Sequence, residues 1–242
     1  MINTDYFKAK RVTVAGLARS GLSCANLLFD LGAKVSVTDN QDNQSTQTNA
    51  SRLKAKDIRV ELGVHTIKFI EDSELLVVSP GVENDALPLA WAQEHKVPIL
   101  SEIEIAWSLC PATVIAVTGS NGKTTVTTLI AKALEAAGKH CFALGNIGRP
   151  FSGEVAKLKE SDFVSLEVSS FQLERINRFK PKISLMLNLT RNHLDRYKNM
   201  EEYLQAKKRI FMNQDNSDYL LLNRDDKVLR PLSKEADRKS VV

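Results

Sequence analysis

The sequence has no run of about 18 uninterrupted apolar residues, the length a helix needs to cross a bilayer, and this excludes a membrane span. It has three cysteines, Cys24, Cys110 and Cys141, an odd number, far apart and without a C-x-x-C spacing. That points to reduced thiols rather than a disulfide framework. Charge of one sign is scarcely in excess: 33 Lys and Arg against 29 Asp and Glu leave +4, too little to argue for nucleic acid or an anionic membrane as partner. Residues 1–10 lack an apolar core between a basic start and a cleavage site, so no signal peptide is expected. No internal repeat and no Pro- or Gly-rich linker is evident. What remains is an ordinary globular mixture, 43% hydrophobic and 26% charged in 242 residues, enough for one large or two modest domains. A soluble, cytoplasmic protein is the expectation.

Short apolar runs alternate with helical patterns. Residues 11–16 (RVTVAG), 34–39 (KVSVTD), 75–79 (LLVVS) and 97–100 read as strands, with helices through Leu22, Leu27 and Leu28 and over 87–94. The polar stretch 40–50 (NQDNQSTQTNA) reads as a mobile surface loop. A second series starts near Pro111: strands at 113–118, 163–168, 183–189 and 219–222, and helices at 123–137 and 200–211. On the first of these helices Val126, Leu129, Ile130, Ala133, Leu134 and Ala137 are expected to form the buried face. Alternating strands and helices imply βαβ units and parallel sheets. The expected fold is α/β, with a Rossmann-like parallel-sheet domain over 1–110 and a P-loop-type α/β domain, incomplete, over 111–242.

Between the strand at 113–118 and the following helix stands Thr118-Gly119-Ser120-Asn121-Gly122-Lys123-Thr124-Thr125. Glycines there turn backbone N–H groups inward, a helix N-terminus attracts anions, Lys adds charge and a hydroxyl can hold Mg²⁺. The usual first glycine of such a loop is replaced by Val117, and Gly119 takes its place two residues later. The bland alternative is a strand–helix turn with an exposed Lys. A second glycine turn, Gly16-Leu17-Ala18-Arg19-Ser20-Gly21, precedes a strand ending in Asp39. It approaches a dinucleotide fingerprint, but Ala18 sits where pyrophosphate needs closest approach, which disfavours NAD and leaves a nucleotide-diphosphate ligand or a purely structural turn.

Glu167, His193 and Asp195 follow strands of the second series, where doubly wound sheets bind ligands; a solvated role is the alternative for each. Lys207 falls at the centre of the stripe Met200, Tyr203, Leu204, Ile210 and Phe211, whereas Lys208 lies to one side. A Lys there must snorkel, pair with an acid or lose its charge. A neutral amine can react with CO₂, and the carbamate would be an oxygen ligand for a hard cation.

The phosphate loop, Gly145-Asn146-Ile147-Gly148, Glu167-Val168-Ser169-Ser170-Phe171-Gln172-Leu173 and Asn192-His193-Leu194-Asp195-Arg196-Tyr197 together resemble the signatures of the ATP-dependent muramyl amino-acid ligases. The SSFQL segment, with the glycine turn and Ser79-Pro80-Gly81, is most similar to the branch that adds D-glutamate to UDP-N-acetylmuramoyl-L-alanine. The resemblance implies peptidoglycan synthesis: ATP phosphorylates the substrate carboxylate, and the D-glutamate amine attacks the acyl phosphate. It implies that Gly119, Ser120, Asn121, Gly122, Lys123, Thr124 and Thr125 bind ATP. Thr124, Glu167, His193 and a carbamylated Lys207 would hold two Mg²⁺, with Mn²⁺ an alternative. Lys123, Glu167, His193 and Lys207 would be catalytic. Ala18, Arg19, Ser20, Asp39, Asn40, Ser79, Pro80, Gly81, Asn146 and His193 would contact the UDP substrate. A monomer is expected.

Two departures stand out. Ala18 replaces a glycine usual in the family, and the resemblance at Val242 is still inside the central domain. A C-terminal domain carrying the D-glutamate site is therefore expected to be missing, and the piece alone is expected not to turn over. The competing readings are another muramyl ligase, folylpolyglutamate synthetase, or a nucleotide- or UDP-sugar-binding module without catalysis.

Overall fold

The structure, a computed structural model, describes residues 4–192, 196–235 and 239–241. The chain segregates into two compact units, Met1–Cys110 with Pro150–Ala156, and Pro111–Arg149 with Lys157–Val242. The sequence expectation assigned residues 150–156 to the second domain; they pack instead with the first unit. Among the described residues no helix is long and apolar enough to cross a membrane.

In the first unit, β1 (Arg11–Ala15), α1 (Arg19–Asp30), β2 (Lys34–Asp39), α2 (Gln44–Ser51), β3 (Arg59–Leu62), α3 (Ile67–Ile70), β4 (Leu75–Val78), α4 (Leu87–Glu94), β5 (Ile99–Ser101) and α5 (Glu102–Leu109) follow in order. All strand pairs are parallel, in the order β3-β2-β1-β4-β5. Val12 and Val14 of β1 and all of β4 are buried, as helix-covered parallel strands should be. The segment after β2 is a correction: 44–51 is a helix, not a loop. Asn43 accepts from the Ser45 and Thr46 N–H groups, and Thr46 Oγ1 accepts from Asn43 N at 3.0 Å, a reciprocal cap that substitutes for an apolar stripe.

The second unit runs β6 (Thr113–Thr118), α6 (Lys123–Ala136), β7 (Cys141–Gly145), β8 (Phe163–Glu167), α7 (Ser170–Glu174), β9 (Ile183–Met186), α8 (Met200–Lys208), β10 (Tyr219–Leu222) and β11 (Lys239–Val241). Its six strands are parallel in the order β11-β10-β9-β6-β8-β7. The buried row of α6 is Thr127 and Ala131, with Val126, Ile130 and Leu134 half-buried. Leu129, expected inside, is 60% exposed, and Ala133 and Ala137 are exposed too. The small Thr127 lets α6 lie close to β8, where the Ser165 hydroxyl donates to the Thr127 carbonyl at 2.9 Å.

Candidate functional site

In each unit the chain order reverses beside the first strand. Loops at the C-terminal ends of strands meet at such points, and ligands bind there. In the first unit the point lies between β1 and β4. Ser79 Oγ donates to the Gly16 carbonyl at 2.9 Å, holding the loop after β4 against the glycine turn after β1. A Cβ on Gly21 would lie 1.8 Å from that same carbonyl oxygen, so only glycine fits. Asp39, ending β2, is buried and accepts from Leu17 N at 2.6 Å and Gln41 N at 2.8 Å. Ala18 and Arg19 are exposed, Ser20 is half-buried, and the N-cap residue Ala18 has no side chain to cap α1. Asn40 and Gly81 are exposed and Pro80 is half-buried. One sheet edge thus collects Ala18, Arg19, Ser20, Asp39, Asn40, Ser79, Pro80 and Gly81.

In the second unit the corresponding loop joins β6 to α6. Gly122 stands at φ +79°, a left-handed conformation that starts the helix without a side-chain cap. The loop is braced by the chain that leaves β9. Ser120 N donates to the Asn188 carbonyl at 3.0 Å, Asn121 N to Asn188 Oδ1 at 2.9 Å, and Thr190 N to Ser120 Oγ at 2.9 Å. Lys123 Nζ folds back on the Gly119 and Ser120 carbonyls at 3.1 and 3.0 Å. Lys207 reaches the same place from α8: its Nζ donates to the Gly119 carbonyl at 2.9 Å and to Thr118 Oγ1 at 3.3 Å, and lies 4.7 Å from the centre of the Tyr203 ring. Lys207 is 1% exposed. Burial, followed by the like charge of Lys123, pushes its pKa down to about 7.

Beside these lysines the Thr124 hydroxyl donates to Glu167 Oε2 at 2.8 Å, and the Asn146 amide donates to Oε1 at 2.9 Å. Glu167 is buried at the end of β8, and Ser169 and Gln172 cap α7 reciprocally just after it. Gly119, Ser120, Asn121, Gly122, Lys123, Thr124, Asn146, Glu167 and Lys207 therefore share one edge of this sheet, with Thr125 exposed in the first turn of α6. His193 and Asp195 lie outside the described residues. Asn188 and Thr190 are not singled out by the sequence, and Tyr203, expected only as part of the buried stripe, lies beside Ser120 and Lys207. Only the position of Asn188 and Thr190 just past a strand could have flagged them, because their partners are about 70 residues away.

Comparison with known proteins agrees with this layout. The Mur ligase middle domain family matches residues 117–242, and the Mur ligase MurD-like N-terminal domain family matches residues 10–101. A UDP-N-acetylmuramoylalanine--D-glutamate ligase of Geotalea daltonii is 43% identical over 219 residues, covering 90% of this chain and 48% of that protein. The protein of the same name from Chloroherpeton thalassium is 41% identical over 241 residues, 98% of this chain and 51% of that protein. The chain spans about half the length of the curated relatives it matches. In fold it is similar to the UDP-N-acetylmuramate:L-alanyl-gamma-D-glutamyl-meso-diaminopimelate ligase from Neisseria meningitides, with a TM-score of 0.63 and 17% identity over 96% of this chain and 76% of the other. The UDP-N-acetylmuramate-alanine ligase MurC from Thermotoga maritima gives a TM-score of 0.56 at 20% identity, over 92% and 51%. With parallel α/β units, a braced phosphate-type loop and a middle-domain match that takes in more than half of its residues, the chain belongs to the Mur ligase family.

Proposed function

We propose that the chain forms the nucleotide-sugar-binding and ATP-handling parts of a cytoplasmic ligase that adds D-glutamate to UDP-N-acetylmuramoyl-L-alanine in peptidoglycan synthesis. One observation carries this reading: an uncapped helix start, two lysines and a hydroxyl–carboxylate pair gather around the loop after β6. Phosphoryl transfer asks for little else, since its catalysis is mostly positioning and charge neutralisation. In this reading residues 1–110 bind the UDP substrate, through the edge that holds Ala18, Asp39 and Ser79. Residues 111–242 bind ATP through Gly119 to Thr125. Asn146 contacts the substrate near its reacting end, and Lys123 turns from its own loop carbonyls to phosphate oxygens. D-glutamate recognition is assigned to the part of the relatives' length that this chain does not span.

The donor set suits Mg²⁺, and Mn²⁺ by the same chemistry. Thr124 and Glu167 offer hard oxygens, and among the described residues no group of three or more His, Cys, Asp or Glu could hold an ion unaided. That combination fits a cation shared with phosphate oxygens. When bound, the metal neutralises charge on the transferring phosphoryl group. His193 is proposed as ligand to a second ion. Lys207 is proposed to be carbamylated: its neutral amine adds to CO₂, a C–N bond forms and a proton leaves to solvent. Supporting this are its burial, its lowered pKa and the neighbouring Lys123, which repels an ammonium and attracts a carbamate.

Calorimetry on the 242-residue chain tests the reading. UDP-N-acetylmuramoyl-L-alanine and Mg·ATP should each bind, without turnover when D-glutamate is added. Tight NAD binding with no UDP-sugar binding would overturn it. A ¹³C-bicarbonate NMR signal that vanishes in Lys207→Ala would support the carbamate, and the same signal persisting in that variant would remove it.

A further inference from the structure

The first unit has a cavity of about 370 Å³ at the opposite end of its sheet from Gly16, Asp39 and Ser79, lined by the N-terminal ends of β1, β2 and β3 and the residues leading into β4. That volume lies within the range of small-molecule sites. Its floor follows from register. Thr13 pairs with Ser36, and Ser36 with Arg59, so these three side chains stand in one row on one face of the sheet. Arg11 and Lys34 form the next row on that face. The helices that cover the face elsewhere pack over β1 and β4, in the core built from Ala15, Ile70, Leu76, Val78 and Leu89. The β2–β3 half of the face is left with polar residues and a partial wall, Phe69 of α3; Phe29 of α1 also lines the cavity.

Uncommitted groups on this floor identify what it would take. The Arg59 guanidinium lies 4.7 Å from the centre of the Phe69 ring and has no ion pair among the described residues. A guanidinium beside a ring keeps its planar fork of N–H donors, which can grip a carboxylate with two hydrogen bonds. The Lys34 ammonium and the Ser36 hydroxyl likewise make no side-chain hydrogen bond among the described residues. The buried hydroxyls of Thr13 and Ser73 are 2.5 Å apart and share one hydrogen bond, which leaves oxygen lone pairs able to accept another. Arg11 is already engaged, donating to the Asp72 carbonyl at 2.6 Å and pairing with Glu74. Asp57 and Asp72 add two acids to the lining, which disfavours phosphates and other multiply charged anions.

From this geometry we infer that the cavity is a binding site for a small aromatic monocarboxylate, its ring beside Phe29 and Phe69, its carboxylate on Arg59 and Lys34, and a ring N–H donating to the Thr13 and Ser73 hydroxyls. The site is independent of the nucleotide chemistry proposed above. Indole-3-acetate, tryptamine and inorganic phosphate serve as probes in titrations followed by backbone-amide NMR of the 242-residue chain. Indole-3-acetate should bind with a dissociation constant in the millimolar range or tighter and shift the Thr13, Ser36 and Arg59 amides, while tryptamine and phosphate should not. Arg59→Ala should weaken it roughly tenfold and Lys34→Ala about threefold, whereas Asp57→Asn should strengthen it. Arg59→Lys, which keeps the charge but loses the fork, covers the case in which Arg59→Ala does not fold, and it too should weaken binding. Absence of indole-3-acetate shifts at those amides, equal binding of tryptamine or phosphate, or unchanged affinity in a folded Arg59 variant would overturn the assignment.

Discussion

The chain contains two strand–glycine–helix turns, and Gly21 of the first and Gly122 of the second are glycine for different reasons. Gly21 answers to packing: a Cβ there would strike the Gly16 carbonyl, which Ser79 already holds, whereas Gly16 itself, at φ +89° and crowded by Ser79 and Val82, meets both demands. Gly122 answers to backbone conformation, with φ +79° and no atom nearer its would-be Cβ than Leu187 Cδ1 at 3.8 Å. Their electrostatics differ as well. The first turn gives its Leu17 amide to the buried carboxylate of Asp39, while the second turns carbonyls towards two lysines. An acid suits recognition of donors such as ribose hydroxyls, and cations suit phosphate. Similar local sequence has been built into two differently charged sites.

Substitutions can break this contrast. The largest effect is expected from Gly21→Ala, because the obstructing atom is backbone and cannot swing away: a loss of about 3 kcal/mol or more in urea denaturation. A near-neutral result would show that the first turn opens freely. Next comes Lys207→Met. The folded pKa near 7 lies below that of an unfolded Lys, so between roughly pH 7 and 10 the folded chain binds fewer protons and stability rises with pH. The penalty is complete below pH 7. Lys207→Met should therefore melt several degrees higher than the parent at pH 6, and the gain should fade towards pH 10; a pH-independent difference would contradict the buried-cation account. Gly122→Ala should cost only about 1–2 kcal/mol, the strain of a left-handed alanine in open space. Smallest of all, Leu129→Ala should change stability by less than about 0.5 kcal/mol, as befits an exposed side chain. A cavity-sized loss there would restore the face expected from periodicity.

That last case marks where sequence stops being legible. Periodicity located Lys207 on the inner face of α8 because Tyr203, Leu204 and Ile210 around it are buried. On α6 the same reasoning failed, since apolar residues occupy more than one face and the helix packs through the small Thr127 and Ala131. Helix α2 was invisible to a search for apolar stripes; its existence rests on the Asn43–Thr46 cap. The phosphate loop was readable because its residues are contiguous, as was the parallel α/β class from alternating elements. The bracing by Asn188 and Thr190, the Asn146–Glu167 bond and the packing of Pro150–Ala156 with the first unit depend on residues far apart in sequence, which one sequence does not pair.

The most direct test of these two ligand assignments is a crossed titration. Mg·ATP and UDP-N-acetylmuramoyl-L-alanine are each titrated calorimetrically into the chain, into Lys123→Ala and into Asp39→Asn. The account predicts that Lys123→Ala loses ATP affinity by roughly 100-fold while keeping the UDP substrate, and that Asp39→Asn does the reverse. Loss of both ligands in one folded variant, or ATP binding indifferent to Lys123, would contradict it.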